Sequence, residues 1–428
     1  MHESFLYYVW QLQYFNKKDL KTTDGERLEV FNPGSLNTNS GPDFLNAKIR
    51  IGNIDWAGNV EIHTKASDWH HHQHNTDPAY DNVILHVVWQ NDKPVKRSDH
   101  TTMPVLELNK LIDEALIGEY KKLVNSPTTI PCEKSIHKVE EVIRFSMLDK
   151  ALMQRLEAKA GQVLLLFKQN QNDWEEITYQ LIGRNFGFKV NSEPFFQLVQ
   201  AVPRKLLLKH ADSLIQMEAL LFGQAGCLEH PGKDEHALLL KREYDVLSKK
   251  YNLKETQINL AAWRFLRLRP ANFPTLRMAQ FAALFNQRKN LFSHILEAAT
   301  RQQFINLLDV RTSDYWNHHY RFGRKTTKPL SGMGEDSIEN LMINSVVPLL
   351  VAYGQYQDDQ QYIDRAVTLL QETPAENNKI VRGWKEMGIS ARSAFDSQAL
   401  LELNNNFCAK RKCLSCTIGN HLLKPARA

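Results

Sequence analysis

The residues best suited to chemistry lie between Asp43 and His86, where acidic and imidazole side chains are concentrated. Seven of the sixteen histidines fall between His63 and His100. Imidazole is the commonest metal ligand in proteins and the side chain that most readily gains or loses a proton near neutral pH. The segment is therefore predicted to hold a metal site or an acid–base site.

A predicted strand over residues 60–65 places Glu61, His63 and Lys65 on one face, because side chains alternate along a strand. Asp43 ends the preceding polar loop, from which it can reach the same face. Carboxylate oxygens suit Mg²⁺ or Mn²⁺, and an imidazole shifts the preference toward Mn²⁺ or Zn²⁺. We expect Asp43 and Glu61 to hold a Mg²⁺ or Mn²⁺ ion, with His63 or Lys65 orienting or deprotonating the attacking water.

A second ligand set lies in the histidine-rich run S-D-W-H-H-H-Q-H. His71 and His74 are three residues apart and could meet on one face of a helical turn, with Asp77 shortly after them. These three side chains could bind zinc in a hydrolase that acts on a small substrate. The alternative is a structural polar network, in which Asp43 caps a turn and His86 is a hydrogen-bonded histidine of the core.

Three cysteines near the C-terminus, Cys408, Cys413 and Cys416, have the spacing C-x4-C-x2-C. In a reducing compartment such spacing indicates a metal rather than disulfides. A closed tetrahedral site needs a fourth ligand, for which Cys132 is the first candidate and His421 the second. Zinc or an iron–sulfur cluster would suit four cysteines. The alternative is three unligated thiols in a C-terminal helix.

Arginines alternate with aromatic and aliphatic residues around a predicted helix over residues 258–268. Arg264 and Arg267 lie three residues apart on it, and Arg269 stands just before Pro270. From Lys241 to Leu330 there are 17 Lys and Arg against 6 Asp and Glu. Such a segment can bind nucleic acid, although the arginines could instead bond the free carbonyls at the helix end.

The elements that must position these residues form an α+β chain. Its 428 residues, 43% hydrophobic and 24% charged, are typical of a globular protein with two or three domains. An amphipathic helix and several strands predict a mixed α/β domain over residues 1–125. Helical periodicity predicts a mainly helical domain over residues 132–428. We expect a cytoplasmic protein, because no signal peptide and no membrane-spanning apolar run is visible.

Several stretches resemble a bacterial family known as domain of unknown function 2851. They are SGPDFLNAKIRIG, GNVEIH, SDWHHHQHNTDPAYDNVILHVV, IPCE, EALLFGQAG, RLRPANFPTLRMAQ and FCAKRKCLSC. The resemblance covers essentially the whole chain. It carries no function with it.

The N-terminal part is also similar to the PD-(D/E)XK nuclease superfamily, whose core has an acidic residue before one strand and Glu-x-Lys on the next. Gly41-Pro42-Asp43 resembles the first element and Glu61-Ile62-His63 the second. His63 replaces the expected lysine, and Lys65 could substitute for it. The resemblance implies a restriction-endonuclease-like domain and metal-dependent cleavage of nucleic acid. A non-catalytic nucleic-acid-binding or scaffold protein with a structural metal site is the alternative.

Overall fold

The chain, described by a computed structural model over residues 1–327, 329–330 and 332–424, has the predicted α+β fold. Helices make up 54% of it and strands 12%. It divides into two compact units, the first formed by residues 1–149 with the segment from 403 onward, and the second by residues 150–402. The sequence interpretation assigned the cysteine-rich C-terminal segment to the helical domain, whereas here that segment packs within the first unit.

A mixed sheet is the centre of the first unit. Its strands are β1 (Leu28–Asn32), β2 (Ser35–Leu36), β3 (Phe44–Ile51), β4 (Ile54–Lys65), β5 (Val83–Gln90) and β6 (Val105–Glu107). The order is β1-β3-β4-β5-β6, with β2 also paired to β3. β3 is antiparallel to β1 and β4, whereas β4, β5 and β6 are parallel. The crossover between β4 and β5 therefore carries the histidine-rich run.

The burial pattern of β3 and one glycine of β4 help to fix these two strands in the sheet. In β3, Ala47 and Ile49 are buried while Lys48 and Arg50 are exposed, as expected of a half-buried strand. β4 is continuous through Gly58. A Cβ at Gly58 would lie 2.5 Å from the Ile84 side chain, so the glycine permits close contact with β5 rather than a bend.

Nineteen α-helices occur in the described residues. They are α1 (Glu3–Leu12), α2 (Asp68–His71), α3 (Glu114–Val124), α4 (Glu141–Gln169), α5 (Trp174–Phe186), α6 (Ser192–Ala201), α7 (Arg204–Leu208), α8 (Leu214–Gln224), α9 (Glu235–Tyr251), α10 (Pro274–Gln287), α11 (Leu291–Glu297), α12 (Arg301–Leu308), α13 (Asp314–His318), α14 (Glu335–Leu341), α15 (Val347–Gln357), α16 (Gln360–Glu372), α17 (Lys379–Glu386), α18 (Ala394–Glu402) and α19 (Thr417–Leu423). A short hairpin, β7 (His319–Arg321) and β8 (Arg324–Lys325), accompanies the helices of the second unit.

The predicted helix over residues 258–268 is wrong. The segment forms short 3₁₀ turns, and Arg267 has a left-handed φ of 61°. The Asn191 side chain holds Arg264 by two backbone bonds, accepting from its N–H at 2.8 Å and donating to its carbonyl at 3.0 Å. The Trp263 indole is buried and donates to the Ala225 carbonyl at 3.0 Å. These tertiary bonds replace the helical ladder, and Pro270 prevents its continuation.

None of the helices in the described residues combines the length and the apolar character needed to cross a membrane.

Candidate metal centre

Asp43 and Glu61 meet where β3 and β4 lie side by side. The Asp43 backbone N–H donates to Glu61 Oε2 at 3.1 Å, and the Ile62 backbone N–H donates to Asp43 Oδ2 at 2.9 Å. The Tyr7 hydroxyl, carried by α1, donates to Asp43 Oδ1 at 2.7 Å. These bonds engage both oxygens of Asp43 but only Oε2 of Glu61. The other Glu61 oxygen, Oε1, is turned toward a group of histidines.

Two imidazoles lie beside that oxygen, and a third lies beside one of them. Glu61 Oε1 lies 3.2 Å from His74 Nε2 and 3.5 Å from His63 Nε2. His63 Nε2 is in turn 3.1 Å from His72 Nδ1. One ring nitrogen from each histidine falls within 4.8 Å of the others. His63 comes from β4, whereas His72 and His74 come from the crossover that follows α2.

Three of the separations between these atoms match those of ligands around one cation, although Glu61 lies outside the group of three histidines whose ligand atoms are all within 4.8 Å of one another. A tetrahedral zinc site with bonds of about 2.0–2.1 Å separates neighbouring ligand atoms by about 3.3–3.4 Å. The three separations here, 3.1, 3.2 and 3.5 Å, bracket that value. Among the described residues, no hydrogen bond reaches the buried His74 Nε2. With its proton on Nδ1, His74 would direct the Nε2 lone pair toward Glu61 Oε1, where one cation could bind both atoms. Imidazole nitrogens and a carboxylate oxygen this close together fit a divalent cation.

The crossover sequence explains how two nearby histidines both reach β4. Asp68, the first residue of α2, accepts from the Lys65 N–H at 3.0 Å, so the chain turns directly after β4. Gln73 lies between His72 and His74 and has a left-handed φ of 61°. This turn places both imidazole rings against His63, at centroid distances of 4.9 and 5.3 Å.

Outer contacts fix the orientation of the histidines. His86, fully buried on β5, places Nε2 2.9 Å from His63 Nδ1. A proton on His63 Nδ1 can be donated to His86, and this tautomer leaves His63 Nε2 free to bind a cation. His74 stacks on Tyr80 at 3.7 Å and meets the edge of Trp69 at 5.4 Å. His86 therefore fills the role that the sequence favoured for it, a hydrogen-bonded core histidine.

Burial makes every buried member of the cluster neutral when no cation is bound. Glu61 is 4% exposed, and this burial, reinforced by the nearby Asp43 charge, raises its pKa to about 9. Burial and the neighbouring imidazoles lower the pKa of His63 to about 3 and that of His74 to about 4. The histidines are thus ready to coordinate, whereas Glu61 must first lose a proton.

Three residues that the sequence indicated lie outside this cluster. The His71 side chain is 71% exposed and lies 3.4 Å from Asp68. The Asp77 side chain accepts from the Ala79 N–H at 2.9 Å and so caps a short 3₁₀ turn. Lys65 is exposed at the end of β4, and its charge acts on Asp92.

Sequence reasoning missed two residues of the site, His72 and Tyr7. The i,i+3 spacing rule selected His71 because it assumes a continuous helical turn. The left-handed conformation of Gln73 interrupts the helical periodicity, and His72 rather than His71 lies beside His63. Tyr7 lies far from Asp43 in sequence, and no local pattern connects the two.

The four cysteines singled out in the sequence also come together in the first unit. Cys132, Cys408, Cys413 and Cys416 line one small cavity, whereas the lining does not include His421. Each is 7% or 8% exposed. Burial, with nearby thiols adding, raises the pKa of Cys132 to about 12 and that of Cys413 to about 11. The thiols are therefore protonated unless a metal displaces their protons.

The three arginines of the second unit, Arg264, Arg267 and Arg269, are all exposed. They project from the irregular segment rather than from a helix face. Their guanidinium groups are thus accessible to a polyanion, as a nucleic-acid contact requires.

Comparison with known proteins identifies the family. No curated protein and no solved structure matches the chain. The family model described as "Protein of unknown function (DUF2851)" matches residues 3–379. The match includes β3, β4 and the histidine-rich crossover and ends before Cys408. Since it spans most of the sequence, the chain belongs to this DUF2851 family.

Proposed function

We propose that this protein is a metal-dependent phosphodiesterase of the nuclease type, with the cation held by Glu61, His63, His72 and His74. The observation that carries the proposal is the position of Glu61 Oε1, 3.2 and 3.5 Å from two buried imidazole nitrogens. A buried acid among uncharged histidines is costly to ionise, and a cation removes that cost.

The ligand chemistry favours Mn²⁺ or Zn²⁺ over Mg²⁺. Three imidazoles and one carboxylate are unlike the all-oxygen set that Mg²⁺ prefers. Asp43 and Glu61 were expected to share the ion; here each Asp43 oxygen accepts a hydrogen bond, from Tyr7 or Ile62, whereas the contacts with the histidine nitrogens are made by Glu61 Oε1. We therefore assign Asp43 to positioning Glu61 through its backbone N–H. His63 serves as a ligand instead of orienting the water.

A cation bound here would polarise a phosphate oxygen and acidify a coordinated water. His72 is the exposed member of the set, while His63 is 2% exposed and His74 9%. Substrate and water would therefore reach the centre from the His72 side. His86 and Tyr80 hold the remaining rings in place from the buried side.

The phosphodiester assignment is supported by the order of the elements. An N-terminal helix supplies Tyr7, Asp43 immediately precedes β3, and Glu61-x-His63 lies on the adjacent antiparallel β4. A helix-containing crossover then leads to the parallel strand β5. This order agrees with what the resemblance to PD-(D/E)XK nucleases implies. The exposed arginines at 264, 267 and 269 are our candidates for phosphate-backbone contacts.

The test is cleavage of single- and double-stranded DNA and RNA by purified protein with Mn²⁺, Zn²⁺ or Mg²⁺. We expect cleavage with Mn²⁺ or Zn²⁺, and its loss in Glu61→Gln and His74→Ala. The matched control is His71→Ala, which removes a neighbouring exposed histidine and should retain activity. Absence of cleavage by the unaltered protein, or undiminished cleavage by Glu61→Gln, would favour the non-catalytic binding protein.

A second candidate follows from the nitrogen-rich ligand set, because three histidines hold catalytic zinc in hydrolases of small molecules. A small phosphodiester such as bis(p-nitrophenyl) phosphate separates the two. Turnover of this compound without cleavage of any nucleic acid would favour the small-substrate hydrolase.

A further inference from the structure

The cysteine cluster is independent of the histidine centre and joins two distant parts of the chain. Cys132 follows α3, whereas Cys408, Cys413 and Cys416 follow α18. All four line one cavity, together with the apolar side chains of Leu123, Pro131 and Phe407. The fifth cysteine, Cys227, lies in the second unit.

The framework around these thiols is set by contacts that need no metal. The Arg411 guanidinium donates to the carbonyl oxygens of Ser126 at 2.9 Å and Thr129 at 3.2 Å. These bonds hold the C-terminal segment against the segment that leads to Cys132. A Cβ at Gly419, in α19, would lie 2.1 Å from the Cys413 carbonyl oxygen, so this helix packs directly on the cysteine loop.

The spacing of the sulfurs discriminates between metals. Among the described residues, the group with three candidate ligand atoms within 4.8 Å of one another is formed by His63, His72 and His74. No three of the cysteine sulfurs therefore lie this close together. A single zinc ion with Zn–S bonds of about 2.3 Å would hold sulfurs about 3.8 Å apart. In an iron–sulfur cluster at most two of the four thiolates bind the same iron, so no three of their sulfurs need lie close together.

We propose that Cys132, Cys408, Cys413 and Cys416 hold an iron–sulfur cluster. Four thiolates satisfy the cysteine requirement of such a cluster. Their apolar neighbours shield it from solvent, and Lys412, which also lines the cavity, offsets its negative charge. Because the ligands are far apart in sequence, the cluster closes a long loop and fastens the C-terminal segment within the first unit.

The experiment is anaerobic purification of the full chain, followed by iron, zinc and acid-labile sulfide analysis and a visible absorption spectrum. We expect iron and sulfide in equal amounts, roughly two or four of each per chain, with broad visible absorption. Cys413→Ser and Cys132→Ser should each lose sulfide and colour. The matched control Cys227→Ser should retain both, and so should Glu61→Gln, which separates this centre from the proposed phosphodiesterase site.

The measurement on the unaltered chain keeps the test informative if the cysteine variants fail to fold. One zinc per chain without labile sulfide would overturn the cluster in favour of a zinc site. Protein purified anaerobically with neither metal nor sulfide would overturn the proposal altogether. Iron without labile sulfide would indicate a single iron ion rather than a cluster and would also contradict the proposal.

Discussion

Binding of Mn²⁺ to the histidine centre should become about tenfold tighter for each pH unit between pH 6 and pH 8.5. The reason is the buried Glu61 carboxyl, whose pKa of about 9 means that it holds a proton throughout this range. His63 and His74, with pKa values of about 3 and 4, have already lost theirs. Among these three buried ligands, the proton that a cation displaces therefore comes from Glu61.

The magnitude follows from the distance between the pKa and the working pH. At pH 7, two units below the pKa, removing the proton costs about 3 kcal/mol, so that binding is about 100-fold weaker than it would be with the carboxyl fully ionised. A site made of exposed imidazoles would behave differently. Its histidines would titrate near pH 6.5, and its affinity would be almost constant above about pH 7.5.

The same carboxyl affects the stability of the metal-free protein. Its pKa is raised in the folded state above the ordinary value of 4.5, so the folded protein retains a proton that the unfolded chain releases. The free energy of unfolding should therefore fall as the pH rises from about 4.5 to about 9, by about 3 kcal/mol at pH 7. Glu61→Gln has no such proton, so we expect it to stabilise the metal-free fold at pH 8 while abolishing metal binding.

The assay is titration calorimetry with Mn²⁺. This ion is chosen because thiolates bind it less readily than they bind softer metals, so the cysteines should interfere little. Measurements in two buffers of different ionisation enthalpy give the number of protons released, which should be close to one at pH 7. His71→Ala is the matched control and should show the same pH dependence. An affinity that stays constant between pH 7 and pH 8.5, or binding without proton release, would refute the role assigned to Glu61.

Three further predictions concern Tyr7, the arginine segment and the cysteine centre. Tyr7→Phe removes the bond to Asp43 and should cost about 1 kcal/mol of stability and about tenfold in Mn²⁺ affinity, measured by denaturation and calorimetry; unchanged affinity would deny Tyr7 a positioning role. Replacing the three arginines of segment 264–269 by serine should reduce the slope of log affinity for nucleic acid against log salt concentration by about two to three, since each lost phosphate contact reduces it by about one. The affinity for Mn²⁺ should stay unchanged. An unaltered salt slope would place the nucleic-acid surface elsewhere. Gly419→Ala should lower the melting temperature, at about 1–3 kcal/mol, because its Cβ would meet a carbonyl oxygen at 2.1 Å. Gly118→Ala, with open space around its Cβ, should not, and equal melting temperatures for the two variants would contradict the packing of α19 on the cysteine loop.

Much of the fold follows from local pattern. The alternation of β3 and the apolar periodicity of α5 predict their structures, because burial of one face determines each. The helical segment over residues 192–208 is interrupted at Pro203, which separates α6 from α7. The segment at 258–268 was misassigned because its backbone bonds go to Asn191 and Ala225, partners that no local window contains.

The site was predictable only where strand alternation governs it. Glu61 and His63 share a face, and Asp43 meets Glu61, as their spacing and loop position indicated. His72 depends on one left-handed residue, Gln73, whose conformation the sequence does not reveal. Tyr7 depends on tertiary packing alone.

The most direct test of the central claim is anomalous diffraction from crystals of the protein soaked with Mn²⁺ or Zn²⁺. The account predicts one strong peak about 2.0–2.2 Å from Glu61 Oε1 and from ring nitrogens of His63, His72 and His74. A peak coordinated by His71 and Asp77 instead, or no peak at the histidine cluster, would contradict it.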